Sequence, residues 1–316
     1  MKAAVLFGPE NLRVEEVPEP EAAPGRVIVE IEAATTCGTD VKMWRYGHRI
    51  LPPYPCAFGH ETAGVRAETG EHVLVSDSVA CGTCDPCRAR RAQICRAPTW
   101  VLGGFAERIA APESALHPIP DGLPAAAAAM AEPLAAAVHA VDRGSGATDV
   151  GVLGGGPMGL MLTALVVAQG RDVTVADPHP EHRAQATALG AHAADRLAEP
   201  HDLVFEAVGR PNTWRAAAGA AKPGGVVVLV GGCPSGTEVT LPTGPLHYEE
   251  LELRGSFHHS RDDVDRALDV LAADDALWRT LLGPTIPLEQ LPAALATPTG
   301  GPAKKWVVDP RRPARA

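Results

Sequence analysis

Asp149-Val150-Gly151-Val152-Leu153-Gly154-Gly155-Gly156-Pro157-Met158-Gly159 is the stretch whose reading decides the fold. A short apolar run of strand length enters a glycine turn, and Leu160 to Ala168 continues as an apolar helix. Gly154 permits the tight turn, Gly156 lets backbone approach a pyrophosphate, and Gly159 lets helix pack on strand. Amide hydrogens, with that of Met158 behind Pro157 at the helix start, and the helix dipole then face the phosphates of a dinucleotide. A second run, Val173 to Ala176, ends at Asp177, 23 residues after Gly154. A carboxylate there accepts from both ribose hydroxyls and repels a 2′-phosphate, which predicts NAD rather than NADP. His182 and Arg183 follow where a cation meets the adenine side or where a solvated helix begins. Further apolar runs, Asp202 to Ala207 and Gly225 to Val230, alternate with helical patterns, the texture of a doubly wound parallel sheet.

On the N-terminal side, Val27 to Ala33 alternates as a half-buried strand, and Pro/Gly punctuation from Pro9 to Gly122 predicts many short strands. An alanine-rich run from Leu123 to Ala140 reads as helix, since Met130, Leu134 and Val138 recur at helical spacing. On the C-terminal side, Val264, Ala267, Leu268 and Leu271 form one helix face behind a Ser260/Asp263 cap, and Lys305 to Asp309 reads as a last strand returning to the first domain. A chain of 316 residues suits two domains.

A formal net charge of −10 argues against a nucleic-acid groove, which needs clustered cations. Arg88-Ala89-Arg90-Arg91 and the tail Arg311 to Arg315 read as solvated surface. No run of apolar residues is long enough to span a bilayer, and Met1 to Leu6 runs into Gly8-Pro9 without the apolar core of a secretory signal, so the cytoplasm is the expected compartment. Seven cysteines, an odd number, point to metal or catalytic thiolates rather than a disulfide framework.

Cys81-x-x-Cys84-x-x-Cys87-x7-Cys95 supplies four thiolates on one loop, enough to close a tetrahedral zinc site with no position for substrate. The rival is an iron–sulfur cluster, whose common run is C-x2-C-x2-C-x3-C-P; the seven-residue gap counts against it. A catalytic zinc needs three protein ligands and an open position. Cys37-Gly38-Thr39-Asp40, Gly59-His60-Glu61 and Ala131-Glu132-Pro133 offer a thiolate, an imidazole and carboxylates.

Together with Gly103-Gly104-Phe105-Ala106-Glu107 and Phe205-Glu206-Ala207-Val208-Gly209, these segments resemble the zinc-containing medium-chain alcohol dehydrogenases over nearly the whole chain. The resemblance implies an α/β chain: a mainly-β GroES-like catalytic domain, residues 1–138 and 257–316, and a Rossmann domain, residues 139–256. A glutamate at position 132 looks like the sorbitol and threonine dehydrogenase branch. By that likeness Cys37, His60 and Glu132 hold the catalytic zinc, with Glu61 as a further ligand or a partner through water. Cys81, Cys84, Cys87 and Cys95 hold a structural one, two zincs per chain. The coenzyme contacts would be Gly154, Gly156, Pro157, Met158, Gly159, Asp177, Arg183, Ala207 and Val208.

The implied reaction moves a hydride from a secondary alcohol to NAD, with Thr39 passing the alcohol's proton outward. Lys42 stands where many relatives have a relay histidine, and Trp44, Phe105, His258 and His259 resemble positions lining the substrate pocket. The substrate class is a polyol, cyclitol or aminocyclitol, or amino alcohol, with L-threonine-type or simple secondary alcohols as alternatives. A catalytically silent dinucleotide sensor or scaffold is the rival from another class, and a zinc-free quinone reductase relative is disfavoured by Asp177. The family forms homodimers or homotetramers by joining coenzyme-domain sheets, and Val226 to Val230 is the expected edge.

Overall fold

The computed structural model describes residues 1–144, 146–297 and 304–313; Arg315 of the basic tail lies outside them. The chain divides into two units, Met1–Glu132 with Val264–Ala316, and Pro133–Asp263.

The first unit is built on a seven-stranded sheet. Its path runs Leu116–Pro118, His72–Val75, Glu61–Arg66, Arg26–Thr35, Lys305–Asp309 and Leu282–Pro287, and Arg108–Pro112 also pairs with Arg26–Thr35. The long strand Arg26–Thr35 organises it. Val27, Val29 and Ile31 alternate into an apolar core with Val73, Val75, Ile109 and Leu116, as period-two burial requires. Opposite Glu61–Arg66 the register slips between Ile31 and Ala33, after which Ala34 and Thr35 are both buried. A bulge of this kind re-aims the side chains beyond it. Here it brings Thr35 opposite Glu61, while Val307 of the returning last strand pairs with Thr35 from the other side. The expected last strand is thus present and lies inside this sheet.

The second unit carries a six-stranded, wholly parallel sheet in the order His192–Ala194, Asp172–Ala176, Asp149–Leu153, His201–Glu206, Ala221–Leu229, Glu252–Gly255. Strand order reverses between Asp149–Leu153 and His201–Glu206, the switch point at which open α/β sheets bind ligands. Val226 to Val230 is not the edge expected of it. Glu252–Gly255 pairs outside Ala221–Leu229 and takes the edge position, a strand too short and too polar to stand out in sequence. The alanine-rich run forms two helices, Ala125–Ala128 and Ala131–Gly144, rather than one. The helix Arg261–Ala273 has the expected cap: Ser260 N–H and hydroxyl donate to Asp263 Oδ2 at 2.8 and 2.7 Å, and Asp263 N–H donates back to Ser260 Oγ at 3.3 Å. Among the described residues no helix is long and apolar enough to cross a membrane.

Gly159 is the tightest point of the coenzyme-type turn, since an added Cβ would stand 1.8 Å from the Gly154 carbonyl oxygen. Gly159→Ala is therefore expected to push the helix Pro157–Ala168 off its strand and destabilise the fold by about 3 kcal/mol. The check is thermal denaturation against wild type.

Candidate active site

Cys37 leaves the strand Arg26–Thr35 and caps the helix Gly38–Tyr46. Its sulfur accepts the Thr39 N–H at 3.4 Å, and Asp40, three residues on, accepts the Cys37 N–H at 2.8 Å. This capping box fixes the entry of the helix with a thiol in place of the usual hydroxyl. The same carboxylate turns its other oxygen to His60, with Oδ1 2.9 Å from Nδ1, and Asp40 is wholly buried. One ring nitrogen of His60 is thereby oriented by a carboxylate, leaving the second for Cys37, the pairing that fixes a metal-binding imidazole. Burial works against a charged His60 ring, and Asp40 with the Cys37 sulfur more than offsets it, so the imidazole is held well above its usual pKa. Gly59 has a φ of +95°, and a Cβ there would lie 2.5 Å from the Phe105 ring, so only glycine lets the chain turn there, one residue before His60.

Glu61 opens the next strand with its carboxylate fully buried between two donors. Thr35 Oγ1 donates to Oε2, and Lys305 Nζ, 4% exposed, donates to Oε1 at 2.8 Å. Burial pushes the Glu61 carboxyl up to about 7 against the pull of Lys305 and His60. Burial also works against the Lys305 charge, and Glu61, Cys37 and Asp40 together outweigh it and hold the ammonium above its ordinary value. The donor atoms of Cys37, His60 and Glu61 lie within 4.8 Å of one another, a sulfur, a nitrogen and an oxygen converging as a catalytic zinc requires. Glu132 stands outside this group. It sits in the first turn of Ala131–Gly144, largely buried, within 4.8 Å of the Asp77 carboxylate, and as a like charge it helps raise Glu61.

Of the other expected residues, Thr39 follows Cys37 in the helix and Lys42 is exposed one turn later. Trp44 and Phe105 pack into the apolar core with Leu6, Met43 and Phe58, 8% and 1% exposed, so neither presents much of a face to solvent. His258 and His259 are neighbours in the second unit with ring centroids 4.1 Å apart, and His258 has a φ of +58°.

Cys81, Cys84, Cys87 and Cys95 also converge, with all four sulfurs within 4.8 Å of one another. Cys84 lies 3.4 Å from Cys87 and 3.8 Å from Cys95. Four sulfurs at zinc–sulfur bond length on a tetrahedron stand roughly 3.8 Å apart, so the loop fits a closed zinc site. The Cys81 and Cys84 N–H groups donate to Cys95 and Cys81 sulfurs at 3.3 and 3.4 Å, which holds the loop in this shape. Arg88, Arg90 and Arg91 are exposed around it.

In the second unit Gly154 has a φ of +100°, and the helix Pro157–Ala168 opens at Gly156 without a side-chain cap. An added Cβ at Gly156 would meet nothing within 4 Å, and the first-turn N–H groups, Met158 among them, lack a side-chain cap, as at a helix start that receives a pyrophosphate. Asp177 ends its strand as expected, accepting the Gly155 N–H at 2.7 Å and the His179 N–H at 2.8 Å. Burial works against its charge, and these bonds with His182 hold the carboxyl below its ordinary value. Arg183 is tied by Nη1 to the carbonyls of Asp177 and Pro178. Glu206, fully buried, accepts the N–H groups of Val208 and Gly209 at 3.0 and 2.9 Å, which curls Ala207-Val208 beside Gly154.

Residues 23–121 match the family model for the alcohol dehydrogenase GroES-like domain and residues 157–273 that for zinc-binding dehydrogenase. The chain belongs to the zinc-type alcohol dehydrogenases, medium-chain enzymes that join a GroES-like domain to a Rossmann domain and use zinc with NAD(P). It is 33% identical to the L-threonine 3-dehydrogenase of Rhizobium rhizogenes over 81% of this chain and 83% of that one. It is 29% identical to an uncharacterized zinc-type alcohol dehydrogenase-like protein of Haemophilus influenzae over 94% of each. Among solved structures it is similar to a zinc-binding dehydrogenase from Sinorhizobium meliloti bound to NADP, with a TM-score of 0.90 and 28% identity over 98% of this chain and 99% of that one.

Asp40, Thr35 and Lys305 are the site residues that sequence reading passed over. Asp40 carried a signal, its place three residues after a helix-capping Cys37; Lys305, 244 residues from Glu61, carried none. Removing the cation alone strands a buried carboxylate, so Lys305→Met is expected to destabilise the first unit by about 3–5 kcal/mol. Adding Glu61→Gln should recover most of that loss, as read by the shift in unfolding midpoint of single and double variants.

Proposed function

We propose that this chain oxidises a secondary alcohol of a polyol, a cyclitol or aminocyclitol, or an amino alcohol, with NAD as acceptor and zinc at the Cys37 cluster. The observation that carries the reading is the convergence of half-buried Cys37 with buried His60 and Glu61 beside the helix turn that bears Thr39. Bound there, zinc would supply Lewis acidity toward the alcohol oxygen, and a bound dinucleotide would supply the hydride acceptor that the oxidation needs.

Cys37 and His60 hold the metal, and Asp40 keeps the imidazole turned toward it. Of the two carboxylates, Glu61 is the one that converges with Cys37 and His60 and would be the third ligand, with Lys305 and Thr35 donating to its oxygens. Glu132 acts from beside Asp77, through water or as a fourth contact. Thr39 passes the alcohol's proton outward, and exposed Lys42, one turn on, delivers it to solvent. Asp177 orients the adenosine ribose, and His258 and His259 hydrogen-bond the substrate's neighbouring hydroxyl or amino group. Cys81, Cys84, Cys87 and Cys95 hold a second, structural zinc. The exposed side of the edge strand Glu252–Gly255 is the surface through which a homodimer or homotetramer forms.

Oxidation of L-threonine is the second reading, favoured by the 33% identity to a threonine dehydrogenase. Purified protein is expected to contain two zinc ions per chain and to reduce NAD with one substrate group in a screen of sugar alcohols, inositols, L-threonine and simple secondary alcohols. Cys37→Ser should lose one zinc and at least about a thousandfold in kcat/KM, while Cys87→Ser loses the other zinc and thermal stability first. Full zinc content without turnover on any group would instead favour a silent dinucleotide sensor.

A further inference from the structure

Two threonines stand side by side where the strand Arg26–Thr35 gives way to Cys37, and their hydroxyl groups meet different partners. Thr36 Oγ1 accepts the Trp306 N–H at 3.1 Å and the Thr36 N–H donates to the Trp306 carbonyl at 3.1 Å, so these groups join the last strand to this one. Thr35 Oγ1 donates instead to Glu61 Oε2, and Thr35 is wholly buried. Ala33 and Ala34 ahead of it are buried too, so the packing here suits an apolar side chain. A hydroxyl in such a place costs stability unless it is bonded, and a valine would fill the same volume without that cost. The sheet alone gives no reason for a hydroxyl at residue 35; the carboxylate opposite does.

That hydroxyl is not needed to balance charge, because Lys305 Nζ donates to Glu61 Oε1 at 2.8 Å and supplies the cation. A contact on Oε1 alone leaves the carboxylate free to turn about its last torsion, which is broad for a glutamate. A second contact on Oε2, from a different strand, removes that freedom. The register makes it possible: beyond the slip between Ile31 and Ala33, Thr35 stands opposite Glu61, and Val307, two residues after Lys305, pairs with Thr35 from the other side. A carboxylate offers about four lone-pair positions, and with one engaged on each oxygen each keeps another for a metal. A Glu61 oxygen held in this way lies within 4.8 Å of the Cys37 sulfur and a His60 ring nitrogen.

We propose that Thr35 is a positioning residue for the metal centre: with Lys305 it fixes the plane of the Glu61 carboxylate, presents an oxygen to the space shared with Cys37 and His60, and so sets how tightly this site holds zinc. The proposal rests on reading Cys37, His60 and Glu61 as zinc ligands and adds to it a hydroxyl that touches neither metal nor substrate.

Zinc retained by the whole protein in graded concentrations of a chelator reads the site without any turnover, and Cys37→Ser, which keeps only the four-cysteine ion, supplies the baseline. Thr35→Val is expected to weaken zinc at the Cys37 site by about 10–100-fold, the range for loss of a partner behind a metal ligand, and Thr35→Ser to stay within about threefold of wild type. Thr36→Val removes a hydroxyl one residue away and is expected to leave that zinc within about threefold as well. If Thr35→Val does not fold, Thr35→Ala takes its place in the same comparison. Zinc held equally by wild type and Thr35→Val, Thr35→Ser as loose as Thr35→Val, or equal loosening by Thr35→Val and Thr36→Val overturns the proposal while the zinc reading stands. A wild type that retains no more zinc than Cys37→Ser overturns that reading and this inference with it.

Discussion

The first unit depends on one buried charge contact, Lys305 to Glu61. Neither group tolerates that burial alone, since removing an ion from water costs far more than a surface charge ever recovers. Their pairing is possible because three strands lie in register, with Thr35 facing Glu61 on one side and Val307 on the other. The bulge at Ile31–Ala33 sets that register. A sheet that must keep this lysine beside this carboxylate has few alternative pairings, because a one-residue slip would turn the ammonium into the apolar core.

The same contact gives the Cys37 cluster its balance of charge. Cys37, Asp40, Glu61 and the nearby Glu132 are all acids, gathered where water is scarce. Lys305 and His60 are the cations set against them, and the acids outnumber the cations, the balance that suits a further positive ion. The four-cysteine loop solves a different problem by a different means, with N–H to sulfur bonds and short sequence spacing doing what long-range pairing does at Cys37.

Much of this was legible in the residues. The strand, glycines and acid from Asp149 to Asp177 forced a parallel sheet, because Gly159 has room for nothing larger and the turn needs Gly154 at positive φ. The cysteine spacing announced its own convergence. Trp44 and Phe105 read in sequence as pocket wall, and their packing with Leu6, Met43 and Phe58 was not legible there, because an aromatic beside a site and an aromatic beneath it look alike in sequence. The edge strand Glu252–Gly255 lacked a hydrophobic run, and position at an edge is decided by which neighbour is missing. Lys305 was hidden for the plainest reason, since a lysine in a C-terminal strand announces solvent and only the fold buries it.

The returning strand also sets an order of events during synthesis. Pro133–Asp263 is continuous in the chain, whereas the first unit is made of two segments and waits for a strand that begins at residue 305, after the whole second unit. Glu61 therefore spends most of translation without its cation, exposed to water and to whatever ions the surroundings offer. The carboxylate of the Cys37 cluster gains its cation only after the second unit has been made, so the order of the segments along the chain sets when that site is completed.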